Sequence, residues 1–276
     1  MIKRVAVCLN NVREDDNAIQ TAAKFALDND AKLIGLYIMV DNVGSYHVYD
    51  YYTAGLRQQI IKEENQQAEL AEKRFNHIAA KIGCKTTFYK GLENDKPTKI
   101  MFYTDLIFMS YSNDKDANDF NSTSFINELL VDIGRPVIVV PKKWDKDSFG
   151  KNILLGWSET RESARALHEA LPLMKKAKKV DVVTVYKEKN LEGDIAKGMV
   201  VSTFLESHDV TCELYPKQIT DNDPSIGGIL VKHSDRSDID LITVGGYGHS
   251  YLRESLLDGV TQHLICHARV PLMLVH

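Results

Sequence analysis

A chain of 276 residues is too long for one small α/β domain and has the length expected of two domains. Hydrophobic residues make up 44% of the chain and charged residues 26%, with only 16 glycines and 7 prolines, so the composition excludes a disordered or fibrous protein. The net charge of −4 is spread evenly over both halves. The sequence therefore lacks the basic surface that a nucleic acid would need as a main partner.

The amino terminus and the apolar segments predict a cytoplasmic protein. Basic residues at the start run into a short apolar segment with no cleavage site after it, which predicts a first strand and not a signal peptide. The longest apolar run, Leu33–Val40, is far shorter than the roughly 20 residues of a membrane helix, so we expect no membrane partner. The cysteines form no C-x-x-C pair and are predicted to be buried, reduced residues: Cys8, Cys84, Cys212 and Cys266.

The first half alternates predicted strands and helices. An apolar strand at residues 4–9 is followed by a helix at 16–27 with apolar residues at helical spacing, and then by a continuous apolar strand at 32–40. A long amphipathic helix at 56–82 leads to a strand at 85–89. The half ends with strands at 105–110 and 135–141, which are separated by a polar loop and a helix.

The second half repeats this order at nearly the same spacing. The predicted strands lie at residues 152–156, 180–186, 210–215, 240–245 and 269–275, and the helices lie at 161–174, 191–207 and up to about 267. Five strands alternating with helices predict a doubly wound parallel α/β (Rossmann-like) sheet in each half. The sequence thus predicts a tandem duplication, with domains at 1–142 and 152–276 and a linker at 143–151.

The last strand of each half, Val137–Val140 and Leu272–Val275, is apolar on both faces although it comes where a sheet edge is expected. A bare apolar edge promotes aggregation. We therefore expect the two closing strands to pair with each other as an internal pseudo-dimer. The alternative is that each edge pairs with a second chain, giving a homodimer.

A glycine-containing loop follows the fourth strand of the second half, where parallel sheets bind ligands. It contains Gly245 and Gly248, and it leads to Gly259-Val260-Thr261 at the start of a helix. Glycines allow close approach of the backbone, and free amides at a helix start favour a phosphate.

The stretch Gly245–Val275, with G-x-x-G, Ser-x-Leu-Arg-Glu, Gly-Val-Thr and Val-Pro-Leu-Met-Leu-Val, resembles the universal stress protein family, as does Ile153–Ala166. The resemblance to a tandem member implies strand order 3-2-1-4-5, dimerisation through the last strand and, in some members, bound ATP. It covers the second half well and the first mainly by layout. The ligand-binding residues that these patterns imply are Trp157, Ser158, Val185, Gly245, Gly248, His249, Ser250, Gly259, Val260 and Thr261.

Two departures from the family pattern argue against strong ATP binding. Asp258 stands where the ATP-binding pattern has its third glycine, and it brings a negative charge that can instead cap the following helix. At the end of the first strand, where the family commonly has Asp, this chain has Ser158 in the second half and Asn10 in the first. Trp157 either stacks on a base or closes the top of the sheet. The family resemblance implies that Val185, at the end of the next strand, offers backbone groups to the base.

Other clusters carry weaker expectations. The first-half loop at residues 111–125 has no glycine and three aspartates, so the phosphate motif is lost there and a helix cap is expected at 122–124. His263 and His267 have a metal-ligand spacing around Cys266, but no further ligand is evident and we predict no metal. The tyrosine-rich segment at 46–52 either lines an apolar cleft or packs over the next helix.

No nucleophile–base pair, Walker-type motif or carboxylate dyad is found in a suitable context, so catalysis is not favoured. The leading hypothesis is a cytoplasmic stress-response protein that holds an adenine nucleotide (ATP, ADP or AMP) or another small ligand in its second half. The alternatives are weak nucleotide hydrolysis through Asp258 or His249, and an interaction scaffold or apolar-ligand binder.

Overall fold

The computed structural model describes residues 2–9, 16–39, 54–92, 96–111, 123–146, 149–186, 191–220, 223, 225–246 and 259–276. Within these residues the chain forms ten strands and eight helices, and it divides into two compact units, residues 2–122 and 123–276. The predicted α/β fold with mostly parallel strands is confirmed.

The unit of residues 2–122 contains four parallel strands in the order β3-β2-β1-β4. Helices α1 and α2 pack on this sheet through their apolar faces, as in Ala22 and Ala26 of α1 and Phe75 of α2, which are fully buried. The elements are β1 (Arg4–Leu9), α1 (Asp16–Asp28), β2 (Lys32–Met39), α2 (Ala54–Ile82), β3 (Thr86–Leu92), α3 (Lys96–Met101) and β4 (Leu106–Tyr111).

The unit of residues 123–276 has six strands in the order β5-β10-β9-β6-β7-β8, so the second repeat shows the expected order 3-2-1-4-5. Its elements are α4 (Thr123–Ile133), β5 (Val137–Pro141), β6 (Asn152–Trp157), α5 (Arg161–Met174), β7 (Lys179–Tyr186), α6 (Leu191–Glu206), β8 (Cys212–Gln218), α7 (Ile226–Arg236), β9 (Leu241–Gly245), α8 (Gly259–His267) and β10 (Leu272–Val275).

The two closing strands, β5 and β10, pair antiparallel. Val139 lies opposite Leu272 and Val137 opposite Leu274, and all four side chains are buried. The pairing predicted from their apolar character is therefore confirmed. Because β5 is hydrogen-bonded to β10, it belongs to the compact unit of residues 123–276, whereas the repeat boundary at residue 142 stays a prediction from the sequence.

An aspartate before the fourth strand of each repeat holds the start of the first strand. Asp240 accepts hydrogen bonds from the amides of Gly150 and Asn152 on Oδ1, at 2.8 and 3.0 Å, and from Lys151 on Oδ2 at 3.0 Å. Asp105 accepts the amides of Lys3 and Arg4 on Oδ2 alone, at 2.7 and 2.9 Å. Equivalent residues thus make equivalent contacts, which supports the duplication.

Two details differ from the sequence expectations. Trp144, in the segment predicted to be a polar linker, is only 4% exposed, since burying a large aromatic ring is favourable even in a polar stretch of sequence. Only Cys8 is buried, whereas Cys84, Cys212 and Cys266 are partly exposed at the borders of helices and strands, so their predicted burial was wrong. All four cysteines are free thiols.

No helix in the described part of the chain has the length and hydrophobicity required to cross a membrane.

Candidate functional site

The candidate site lies where the winding of the second repeat reverses. Strand β6 is paired in parallel with β7 on one side and with β9 on the other. The chain leaves β6 at Trp157 and β9 at Gly245, which follow the paired residues Gly156 and Val244. The carboxyl ends of these two strands therefore lie at the position where doubly wound sheets bind ligands.

The turn after β6 presents polar side chains at this edge. Ser158 is exposed, and its Oγ lies 3.2 Å from Oγ1 of Thr160. Thr160 caps α5 by accepting the amide of Ser163, and its own amide donates to the Ser163 hydroxyl at 2.9 Å. The amides of Thr160 and Ser163 are thus satisfied within the turn, while the exposed Ser158 hydroxyl, which shares a hydrogen bond with Thr160, has capacity left to face a ligand.

Gly245 is a glycine because α5 crosses it closely. A Cβ atom placed on Gly245 would come within 2.5 Å of the backbone of Glu162 and Ser163. The sequence pattern assigned this glycine to ligand approach, and the close packing of α5 is a sufficient separate reason for it. A ligand contact of Gly245 stays a prediction.

The packing of α5 on β9 also buries a carboxylate beside the site. Glu162, in the first turn of α5, is only 5% exposed, and its Oε1 lies 3.2 Å from Nε of Arg161. Its Cβ is among the atoms nearest to Gly245. Sequence reasoning missed this residue, since a glutamate early in a helix is ordinarily explained by the helix dipole. Arg161 compensates part of its negative charge, and the remainder disfavours a polyphosphate close to Gly245.

The helix after the glycine loop begins at Gly259, as the sequence predicted. Gly259 is exposed, and a Cβ there would meet no atom of the described residues within 4 Å. Val260 is half-buried, while Thr261 is only 4% exposed. No steric reason among the described residues therefore requires the glycine, so an approaching ligand remains available as its explanation.

The remaining described residues of the candidate site lie near the carboxyl ends of β6 and β7. Trp157 is half-buried beside Thr184 of β7, and Val185 follows Thr184 toward the carboxyl end of that strand. The structure thus brings Trp157, Ser158, Val185 and Gly245 to one edge of the sheet. The predicted site residues Gly248, His249 and Ser250, and also Asn10, Asp258 and the tyrosine-rich segment, lie outside the described residues.

A second polar cluster, at the amino ends of β7 and β8, was not predicted. Asp181 is fully buried and lies 2.7 Å from Nε2 of His233. Lys179 Nζ lies 3.1 Å from the other carboxylate oxygen, Oδ1, which makes no hydrogen bond, so this contact is an ion pair without hydrogen-bond geometry. The sequence feature that could have predicted this cluster is an aspartate inside the apolar strand Val180–Val185, because a buried carboxylate needs polar partners.

Lys179 contacts both the buried Asp181 and residues nearer the protein surface. Its ammonium donates to the Tyr215 hydroxyl at 2.9 Å and lies 3.0 Å from Oε2 of Glu213. The hydrogen bond to Tyr215 and the neighbouring carboxylates raise the pKa of Lys179, and the Tyr215 hydroxyl and Lys179 lower the pKa of Glu213. The charged groups of the cluster are thus paired with one another within the protein. The cluster lies at the opposite end of the strands from the candidate ligand site.

The histidines predicted as weak metal candidates stack on each other. The rings of His263 and His267 are 4.2 Å apart and nearly parallel, and Nδ1 of His267 lies 2.9 Å from the backbone oxygen of His263. In the described residues no three histidine, cysteine, aspartate or glutamate side chains come together as metal ligands would.

Solved structures share this architecture over the whole chain. A universal stress protein from Archaeoglobus fulgidus DSM 4304 matches with a TM-score of 0.73 at 14% identity, covering 99% of this chain and 95% of that one. The chain has the universal stress protein fold. A functionally unknown protein from Pseudomonas aeruginosa PAO1 matches with a TM-score of 0.61 at 13% identity, covering 99% of this chain and 92% of the other. No family model and no curated protein matches the sequence.

The match to the universal stress protein fold confirms the architecture that the glycine-loop resemblance implied. The agreement extends over both repeats, although the first repeat carried the resemblance mainly by its layout. At 14% identity the likeness concerns the fold, and the function of this chain has to be argued from its own residues.

Proposed function

We propose that this chain is a tandem protein of the universal stress type that acts by binding a small ligand in its second repeat. The two repeats form an internal pseudo-dimer, which the antiparallel pairing of β5 with β10 supports. We expect the protein to work in the cytoplasm as part of a stress response and without catalysis. The observation that carries the proposal is the reversal of winding at the carboxyl ends of β6 and β9, which brings Trp157 and Ser158 to the same edge of the sheet as Gly245.

Adenine nucleotides are the ligand class that we propose first. Trp157 offers an aromatic face for a base, Ser158 a hydroxyl for a sugar, and the start of α8 at Gly259 free amides for a phosphate. Two carboxylates oppose a triphosphate, since Glu162 is buried next to Gly245 and Asp258 precedes α8 in the sequence. We therefore expect AMP to bind at least as well as ATP.

Calorimetric titration of the full chain with AMP, ADP and ATP tests this proposal. Removing the charge in Asp258→Gly is expected to raise ATP affinity by roughly tenfold and AMP affinity less, because repulsion grows with ligand charge. An exposed charge change elsewhere, Glu169→Gln on α5, serves as the control. Absent or millimolar affinity for all three nucleotides would remove the nucleotide proposal and favour a scaffold or another ligand.

A further inference from the structure

A groove between α7 and α8 lies on the helix layer of the second repeat. Gly227 lets the two helices approach, since a Cβ there would come within 2.9 Å of Cβ of His263. The groove encloses about 430 Å³, which is in the size range of small-molecule sites. Its lining consists of Asp223, Gly228, Val231, Lys232, Asp235, Arg236, His263, His267 and Arg269.

Basic side chains outnumber acidic ones in this groove. Three permanent cations, Lys232, Arg236 and Arg269, line it together with the two histidines. Arg236 and Arg269 are exposed, and Arg236 forms no ion pair with any residue that the structure describes. Guanidinium groups at the rim of a concave surface are typical of sites that bind phosphate or carboxylate groups.

Both carboxylates of the groove already have partners within the protein. Asp223 accepts hydrogen bonds from the amide and the hydroxyl of Thr220, at 3.0 and 2.8 Å, which lower its pKa. Asp235 faces Arg269, with 3.9 Å between Oδ2 and Nη1. Asp223 also interacts with the charge of Lys232, so the three cations of the groove exceed its two carboxylates by one, and Arg236 is the cation that remains to attract an anion.

His263, stacked on His267, adds a charge that depends on pH. Burial and the neighbouring His267 lower the pKa of His263, because two adjacent imidazolium ions repel each other. An anion in the groove would compensate that repulsion and favour protonation. The groups facing this pair are Asp223, Lys232, Asp235 and Arg236 before and along α7, and Arg269 after α8.

We propose that the groove between α7 and α8 is a second binding site, which takes a small anion of the phosphate class. Such a ligand would place its charged oxygens between Arg236, Arg269 and the imidazoles of His263 and His267. A metal cation is a poor occupant, because the arginines would repel it. The volume accommodates a phosphorylated metabolite and not an extended polymer.

Titration with sulfate, followed by NMR of the imidazole protons, tests the proposal on the full chain. Sulfate does not change its charge between about pH 6 and pH 8. Any pH dependence of binding therefore belongs to the protein. We expect saturable shifts of the His263 and His267 resonances, which His263→Gln and His267→Gln assign. Binding should be about fivefold tighter at the lower pH, and His263→Gln should remove most of this difference. Pyrophosphate should bind more tightly than sulfate at equal pH, because it has two charged groups to contact the cations.

Arg236→Gln and Arg269→Gln are each expected to weaken sulfate binding about fivefold, since each removes one charge-assisted contact. The matched control is Lys175→Gln, which removes one exposed positive charge after α5 and should leave the affinity within about twofold. Equal losses in all three variants would show nonspecific charge attraction and overturn the proposal. Shifts that do not saturate, or that spare both histidines, would also overturn it.

Discussion

At equivalent positions of the second strand, the first repeat has a buried apolar side chain and the second repeat has a buried carboxylate. In the first repeat Ile34 lies opposite Ala6 and Thr87 and is 1% exposed. In the second repeat Asp181 lies opposite Leu154 and Glu213 and is fully buried. Both strands occupy the same place in the sheet order, so the fold does not need the buried charge. The ionic cluster is an addition of the second repeat that has to be balanced by its own partners.

Removing one partner of the buried pair is the change with the largest expected effect. His233→Leu leaves the Asp181 carboxylate buried with only Lys179 nearby, and should lower the free energy of unfolding by about 3 kcal/mol. Adding Asp181→Ile recreates the apolar solution of the first repeat and should restore at least half of that loss. Urea denaturation of the full chain measures both.

Ile34→Val in the first repeat is the control for this comparison, with an expected loss of about 1 kcal/mol from a missing methylene group. If the double variant is less stable than His233→Leu alone, the two positions are not interchangeable and the comparison fails.

A second difference between the repeats concerns the end of the fourth strand. Gly245 in the second repeat takes the position of Ser110 in the first, as the pairing of β9 with β6 and of β4 with β1 indicates. Gly245→Ala should cost roughly 2–3 kcal/mol, because the new methyl group meets the backbone of α5, which cannot rotate away.

Gly246→Ala is the matched variant, since its Cβ would meet its nearest neighbour, Leu130, at an ordinary 3.7 Å. We expect a change smaller than about 1 kcal/mol there in thermal denaturation. Equal melting temperatures for the two alanine variants would show that α5 does not constrain Gly245.

The smallest predicted difference separates the two aspartates at the start of the fourth strands. Asp240→Asn should lose about 2 kcal/mol, because both carboxylate oxygens accept backbone amides and the new NH₂ group must face one of them. Asp105→Asn should lose less than about 1 kcal/mol, because one oxygen accepts both amides and an asparagine oxygen can replace it. Calorimetric melting of both variants measures the difference, and a larger loss at Asp105 would contradict it.

The strand order was implied by the resemblance to the universal stress protein family, and the start of α8 at Gly259 was predicted from the glycine motif. Sequence periodicity was sufficient for the alternation of strands and helices and for the pairing of the closing strands. These features follow from local patterns and from the need to cover apolar edges. Periodicity did not predict the burial of Glu162 or the ionic cluster around Asp181, since both depend on which helix crosses which strand. The burial of Trp144 was missed for the same reason, because a polar neighbourhood in the sequence does not determine a neighbourhood in space.

Tryptophan fluorescence gives the most direct test of the proposed ligand site in the second repeat, because the chain has only two tryptophans. Trp144→Phe leaves Trp157 as the single emitter, and it removes an indole nitrogen that is buried without a hydrogen-bond partner. Titrating this variant with AMP should change the Trp157 emission in a saturable way, whereas Trp157→Phe should show no change. A constant Trp157 emission, or a response confined to Trp144, would contradict a ligand site at the carboxyl ends of β6 and β9.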